Sequence, residues 1–172
     1  MKIRNGFVSN SSSSSFIVFG NTFEEEHIPE KAYSSYDGKV FNLVLPNRAY
    51  TNQFGWEDTS YQSVMAKLNF AAIQAFYMKD DLPVYKAYVD RITKAVKGDF
   101  EKTHPGKELE IEIYDFESER GYDYPYIDHQ SASYEGANTE IFESDDLMRN
   151  FLFNGNSYIQ GGNDNYGGYY ED

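Results

Sequence analysis

Apolar and polar positions along the chain predict short strands on either side of a helical centre. Phe16-Ile17-Val18-Phe19 is an aromatic and β-branched tetrapeptide with the composition of a buried strand. Val40-Phe41-Asn42-Leu43-Val44-Leu45 reads as a second one, closed by Pro46-Asn47. A loop with Tyr50, Phe54 and Trp56 follows. Glu57-Asp58-Thr59-Ser60 then supplies capping side chains and negative charge for a helix start. Val64, Leu68, Ala71, Ala72 and Ala75 recur at helical spacing, and Met65, Phe70, Ile73 and Phe76 widen the stripe until little of this helix is polar. Such a helix is expected at the centre of the fold. Asp81 can cap a second helix with Pro83 in its first turn. Tyr85, Tyr88, Val89, Ile92, Ala95 and Val96 give it one apolar face, and Gly98 is the expected stop. The pair reads as a helical hairpin.

Beyond the turn Thr103-His104-Pro105-Gly106, Glu108, Glu110 and Glu112 alternate with Leu109, Ile111 and Ile113. This period of two predicts a strand with one buried face and its acids aimed at solvent. Residues 117–138 are polar and tyrosine-rich, broken by Gly121, Pro125 and Gly136, and form the longest irregular segment. Glu140-Ile141-Phe142 is expected as a short strand. Ser144 caps a short helix over residues 145–152 that ends at Asn154-Gly155, and Ser157-Tyr158-Ile159-Gln160 reads as a last strand. The expected fold class is α+β: a single domain over residues 1–160, with a small mixed or antiparallel sheet packed against the central helical hairpin. Residues 161–172, acidic and rich in Gly and Tyr, are expected as a flexible tail.

Charge changes this picture more than composition does. The net charge is −13, yet residues 1–100 hold 11 acids and 11 bases, so residues 101–172, with 17 acids and 4 bases, carry all of it. Such a half is repelled by nucleic-acid phosphates and attracted to basic protein surfaces, including those that grip nucleic acid. Solubility alone would also account for it. Tyr (16) and Phe (13) far outnumber Trp (1), and cysteine is absent, which excludes disulfides and thiolate metal sites. No apolar run approaches membrane-spanning length. Met1-Lys2-Ile3-Arg4 has the charge of a signal peptide without its apolar middle, so a cytoplasmic setting is expected.

Gly6-Phe7-Val8-Ser9-Asn10, followed by Ser11 to Ser15 and Phe16, resembles an N-terminal signature of uncharacterised phage and bacterial proteins. A fainter echo lies in Asn150-Phe151-Leu152-Phe153-Asn154 and in Gly162-Asn163-Asp164-Asn165. The resemblance implies an origin in a bacterial virus or its host, and no particular chemistry.

Three readings of function follow. The first is an acidic accessory protein that binds, and thereby inhibits, a basic host protein such as a nucleic-acid-handling or defence factor. Its contact residues would be Glu108, Glu110, Glu112, Tyr122, Asp123, Tyr124, Tyr126, Asp128, Asp145 and Asp146, a surface of carboxylates and aromatic rings. The second is a small nucleotide or phosphate binder, or an enzyme, using Ser11, Ser12, Ser13, Ser14 and Ser15 as an anion nest. The run contains no Lys or Arg and lacks P-loop spacing. The third is a structural virion component. No catalytic residue, cofactor or metal is assigned. His27, His104 and His129 lack zinc-site spacing, Asp128-His129 with a serine has no nucleophile-elbow glycines, and neither Asn163-Asp164-Asn165 nor Asp145-Asp146 has an EF-hand register.

Overall fold

All thirteen residues of helix α1 (Val64–Phe76) are buried, as expected of a helix apolar on nearly every side. Its N-cap is Ser63, whose hydroxyl accepts from Ala66 N–H at 3.2 Å. The cap expected at residues 57–60 is displaced because Ser60–Tyr61 pairs as a short strand instead; Glu57 and Asp58 lie outside the described residues. The computed structural model describes residues 13–50, 53–54, 59–113, 126–127 and 138–163.

The chain folds as a small α+β single domain. Around α1 stand helices α2 (Leu82–Thr103) and α3 (Asp145–Phe153) and strands β1 (Ser13–Val18), β2 (Val40–Leu45), β3 (Gln53–Phe54), β4 (Ser60–Tyr61), β5 (Glu108–Ile113), β6 (Tyr126–Ile127) and β7 (Tyr158–Asn163). β7 lies between β1 and β4 in an antiparallel sheet, while β2–β5 and β3–β6 are parallel pairs. A parallel pair needs a long crossover. Between β2 and β5 that crossover carries the expected hairpin of α1 and α2, packed against each other and both against α3. The buried side chains of these elements form one apolar core.

Other elements also differ from the sequence expectation. α2 continues through Gly98 to Thr103, because Gly98 keeps right-handed helical backbone and the apolar face runs on through Phe100. Glu140–Phe142 is a 3₁₀ turn rather than a strand, with Ile141 and Phe142 buried. The first strand begins at Ser13 and the last extends to Asn163, since the two pair over their full length, Ser13 opposite Asn163 and Val18 opposite Tyr158. The start of the expected tail, Gly161 to Asn163, is therefore strand, with Gly161 and Gly162 opposite Ser15 and Ser14.

Two glycines are instructive by contrast. A Cβ on Gly20 would lie 2.5 Å from Asn156 Cβ, so only glycine lets the chain pass where its N–H donates to Ser157 Oγ. A Cβ on Gly98 would meet nothing within 4 Å. Glycine within a helix costs about 1 kcal/mol relative to alanine. Gly98→Ala is therefore expected to raise stability by up to about 1 kcal/mol, read as a higher urea midpoint with unchanged slope. A lower midpoint would show that the fold requires this glycine.

Candidate functional site

β5 is built as its alternation dictates. Leu109, Ile111 and Ile113 turn towards the core, while Glu108, Glu110 and Glu112 are exposed. Residues two apart on a strand are about 6.6 Å apart, so the three carboxylates form a row about 13 Å long. None forms an ion pair among the described residues. In the β2 register they stand beside Val40, Asn42 and Val44, and Val44 is one of the few large apolar side chains left exposed. Val44 and Glu112 border a recess of about 390 Å³ shared with Pro46 and Arg48. The face can accept ammonium or guanidinium donors at regular spacing, with apolar contact alongside.

The other predicted acids are placed elsewhere. Asp145 sits in the first turn of α3 and is held by Lys94 and, at 3.6 Å, by Arg91, both on α2. The Lys94 bond is the main reason its carboxyl lies below the usual range. Glu25 lies below it likewise, chiefly through its bond to Lys102 and then through Arg149. These pairs line a recess of about 280 Å³ between α2 and α3, over Gly98 and Phe153, with Asp146 on its rim. Its four cations face as many carboxylates, so it offers no net charge. Asp145 is thus engaged within the molecule and is not grouped with the β5 row. Tyr126 is described by its backbone alone, paired through β6 with Gln53. Tyr122, Asp123, Tyr124 and Asp128 lie outside the described residues, as does His129.

Within the serine run, Ser13, Ser14 and Ser15 belong to β1. Successive N–H groups of a strand point to opposite edges and cannot converge on one anion. In the ladder Ser13, Ser14 and Ser15 stand opposite Asn163, Gly162 and Gly161, so the backbone of these three does not form a nest. Ser11 and Ser12 lie outside the described residues.

Pattern reading missed the buried polar groups that hold these elements in place. Lys67 on α1 is fully buried; its ammonium donates to Asn154 O at 2.9 Å and Ser157 O at 3.2 Å, and lies 3.8 Å from Glu26 Oε2. Burial pulls its pKa down to about 8, partly offset by Glu26. Asn154 accepts through Oδ1 from Glu24 N–H and Asn156 N–H, and donates to Asn150 Oδ1. Asp99, almost fully buried, accepts from Ile28 N–H at 3.0 Å and lies 2.6 Å from His27 Nδ1. His104 stacks on Phe100 and bonds Glu30 at 2.7 Å. The signal for Lys67 and Asp99 was present: each is a charge on an apolar helical stripe.

Among the described residues no group of three or more His, Cys, Asp or Glu is placed to hold a metal ion, and no helix is long and apolar enough to cross a membrane. No family model, curated protein or solved structure matches this chain.

Proposed function

We propose that this chain is a non-enzymatic binding protein that docks on the basic surface of another protein through the open face of β5. The observation that carries this reading is the row Glu108, Glu110 and Glu112: exposed, evenly spaced and without ion pairs among the described residues, where Asp145 and Glu25 are each held by two cations. The excess of acids over bases in residues 101–172 supplies a long-range field of the same sign. The resemblance of the N-terminal signature to phage proteins points to a bacterial cytoplasm as the setting and a host protein as the target. Covering a nucleic-acid-binding surface in this way would inhibit it.

Exposed charges act mainly on association and are screened by salt. The native chain should therefore retain a basic partner from bacterial lysate at low salt and release it at high salt. The triple variant Glu108→Gln, Glu110→Gln, Glu112→Gln should bind at least tenfold more weakly at low salt, at up to about 1 kcal/mol per lost pair, with an unchanged circular dichroism spectrum. Equal retention by the variant, or by the native chain at both salt levels, overturns the reading.

A further inference from the structure

The same strand presents a second feature, its backbone edge. Among the described residues β5 pairs with β2 alone. Glu108 N–H donates to Lys39 O at 3.0 Å. In a parallel ladder alternate residues bond to alternate sides, so the backbones of Glu108, Glu110 and Glu112 face β2. Those of Leu109, Ile111 and Ile113 face the opposite edge. The far edge of β2 is covered over its first half: Asn42 exchanges both backbone bonds with Ser34, and Val40 is bonded by the side chains of Ser35 and Asp37. The edge of β5 has no such cover among the described residues.

Burial shows the same asymmetry at two of the three inward-facing pairs; at the third, Leu109 is buried and Phe41 only partly so. Leu43 and Leu45 on β2 are wholly buried, whereas Ile111 and Ile113, opposite them in the register, are only partly so. A partly open apolar row beside an unpaired backbone edge is a surface that one more strand would complete.

We propose that the partner adds an extended segment to the outer edge of β5, with Lys or Arg at alternate positions and aliphatic residues between them. The basic side chains stand beside Glu108, Glu110 and Glu112 as cross-strand pairs. The aliphatic ones extend the row of Leu109, Ile111 and Ile113. A second copy of β5 is a poor occupant, because its glutamates would face these across the ladder. This inference rests on the acidic docking reading above and names the partner's form.

The test is fluorescence anisotropy on the full chain at low salt with three blocked heptapeptides. One alternates Lys with Val, one carries N-methyl groups on the backbone amides that would face β5, and one has the same composition with its lysines contiguous. The alternating peptide should bind, and N-methylation or contiguous lysines should weaken it at least tenfold. The Glu108→Gln, Glu110→Gln, Glu112→Gln variant should weaken it to a similar degree. Failure of the alternating peptide to bind overturns strand addition, as does equal binding by either control peptide. If the controls bind equally but the triple variant binds none, the acidic docking reading survives alone. If the triple variant binds the alternating peptide as well as the native chain does, both readings fall.

Discussion

Lys67→Ala is expected to lower the unfolding free energy by about 4 kcal/mol at pH 7, and the deficit should grow by about 2.5 kcal/mol at pH 10. The first figure combines the loss of a buried four-carbon stem with two carbonyls, Asn154 O and Ser157 O, left without their donor. Relief of the buried charge offsets part of that loss. The pH dependence follows from the depressed amine pKa. Between about 8, where the folded lysine loses its proton, and its ordinary 10.5, the unfolded chain binds more protons than the folded one. The contribution of Lys67 to stability therefore rises with pH across that window, and a variant without the amine cannot share the rise. A neutral amine keeps two hydrogens, enough for both carbonyls, so deprotonation leaves the site satisfied. Lys67→Met, which retains most of the stem, should start from a smaller deficit, about 2 kcal/mol, and show the same growth. Urea unfolding of native and variant chains at pH 7 and pH 10 measures both effects. A deficit that stays constant or shrinks would mean that burial does not depress this amine.

Lys67 stands on a helix whose burial the sequence announces, though its partners, Asn154 and Ser157, lie far along the chain. A helix that places Val64, Leu68 and Ala71 on one stripe and Met65, Phe70 and Ile73 on the others announces its own burial, and α1 is buried throughout. The strict alternation of residues 108–113 likewise predicted which face of β5 meets water, and that face became the candidate site. These features were legible because a helix or strand period depends only on neighbours in the chain. Gly98 was misread for the opposite reason. Local propensity makes glycine a stop, but Phe100 continues the apolar face beneath it and tertiary packing carries the helix on. Residues 140–142 turned into a 3₁₀ turn because three residues are too few for periodicity to separate strand from turn. The pairing of β1 with β7, across nearly the whole chain, leaves no local trace at all. It nevertheless brings Ser13 to Ser15 beside Gly161 to Asn163, two segments nearly 150 residues apart in sequence. The engagement of Asp145 by Arg91 and Lys94 was invisible in the same way, since it depends on how α3 lies against α2.

Phe70→Ala should cost about 4 kcal/mol, a large share of the roughly 5–15 kcal/mol that holds a domain folded. Phe70 is wholly buried on α1 and joins two distant parts of the chain. Its ring meets Phe54 of β3 edge-on at 5.1 Å and tilts against Phe151 of α3 at 6.2 Å, while Phe54 in turn meets Tyr61 of β4 at 4.8 Å. Truncation removes the transfer free energy of the ring, two aromatic contacts and the filling of a space that neighbouring helices cannot close. Phe70→Leu, which fills most of that space, should cost less than half as much. Because Phe54 and Phe70 line the same space, the double variant Phe54→Ala, Phe70→Ala should fall short of the summed single effects by about 1 kcal/mol. Strict additivity would mean that the two rings do not share a cavity when truncated. The β5 row lies on another face, so peptide binding by the Phe70→Ala protein, measured without denaturant where it remains folded, should match the native chain. Stability and docking would then be separable properties, one set by the rings around α1 and the other by the carboxylates on β5. A Phe70→Ala chain that is folded yet fails to bind the alternating peptide would show instead that the core shapes the docking edge.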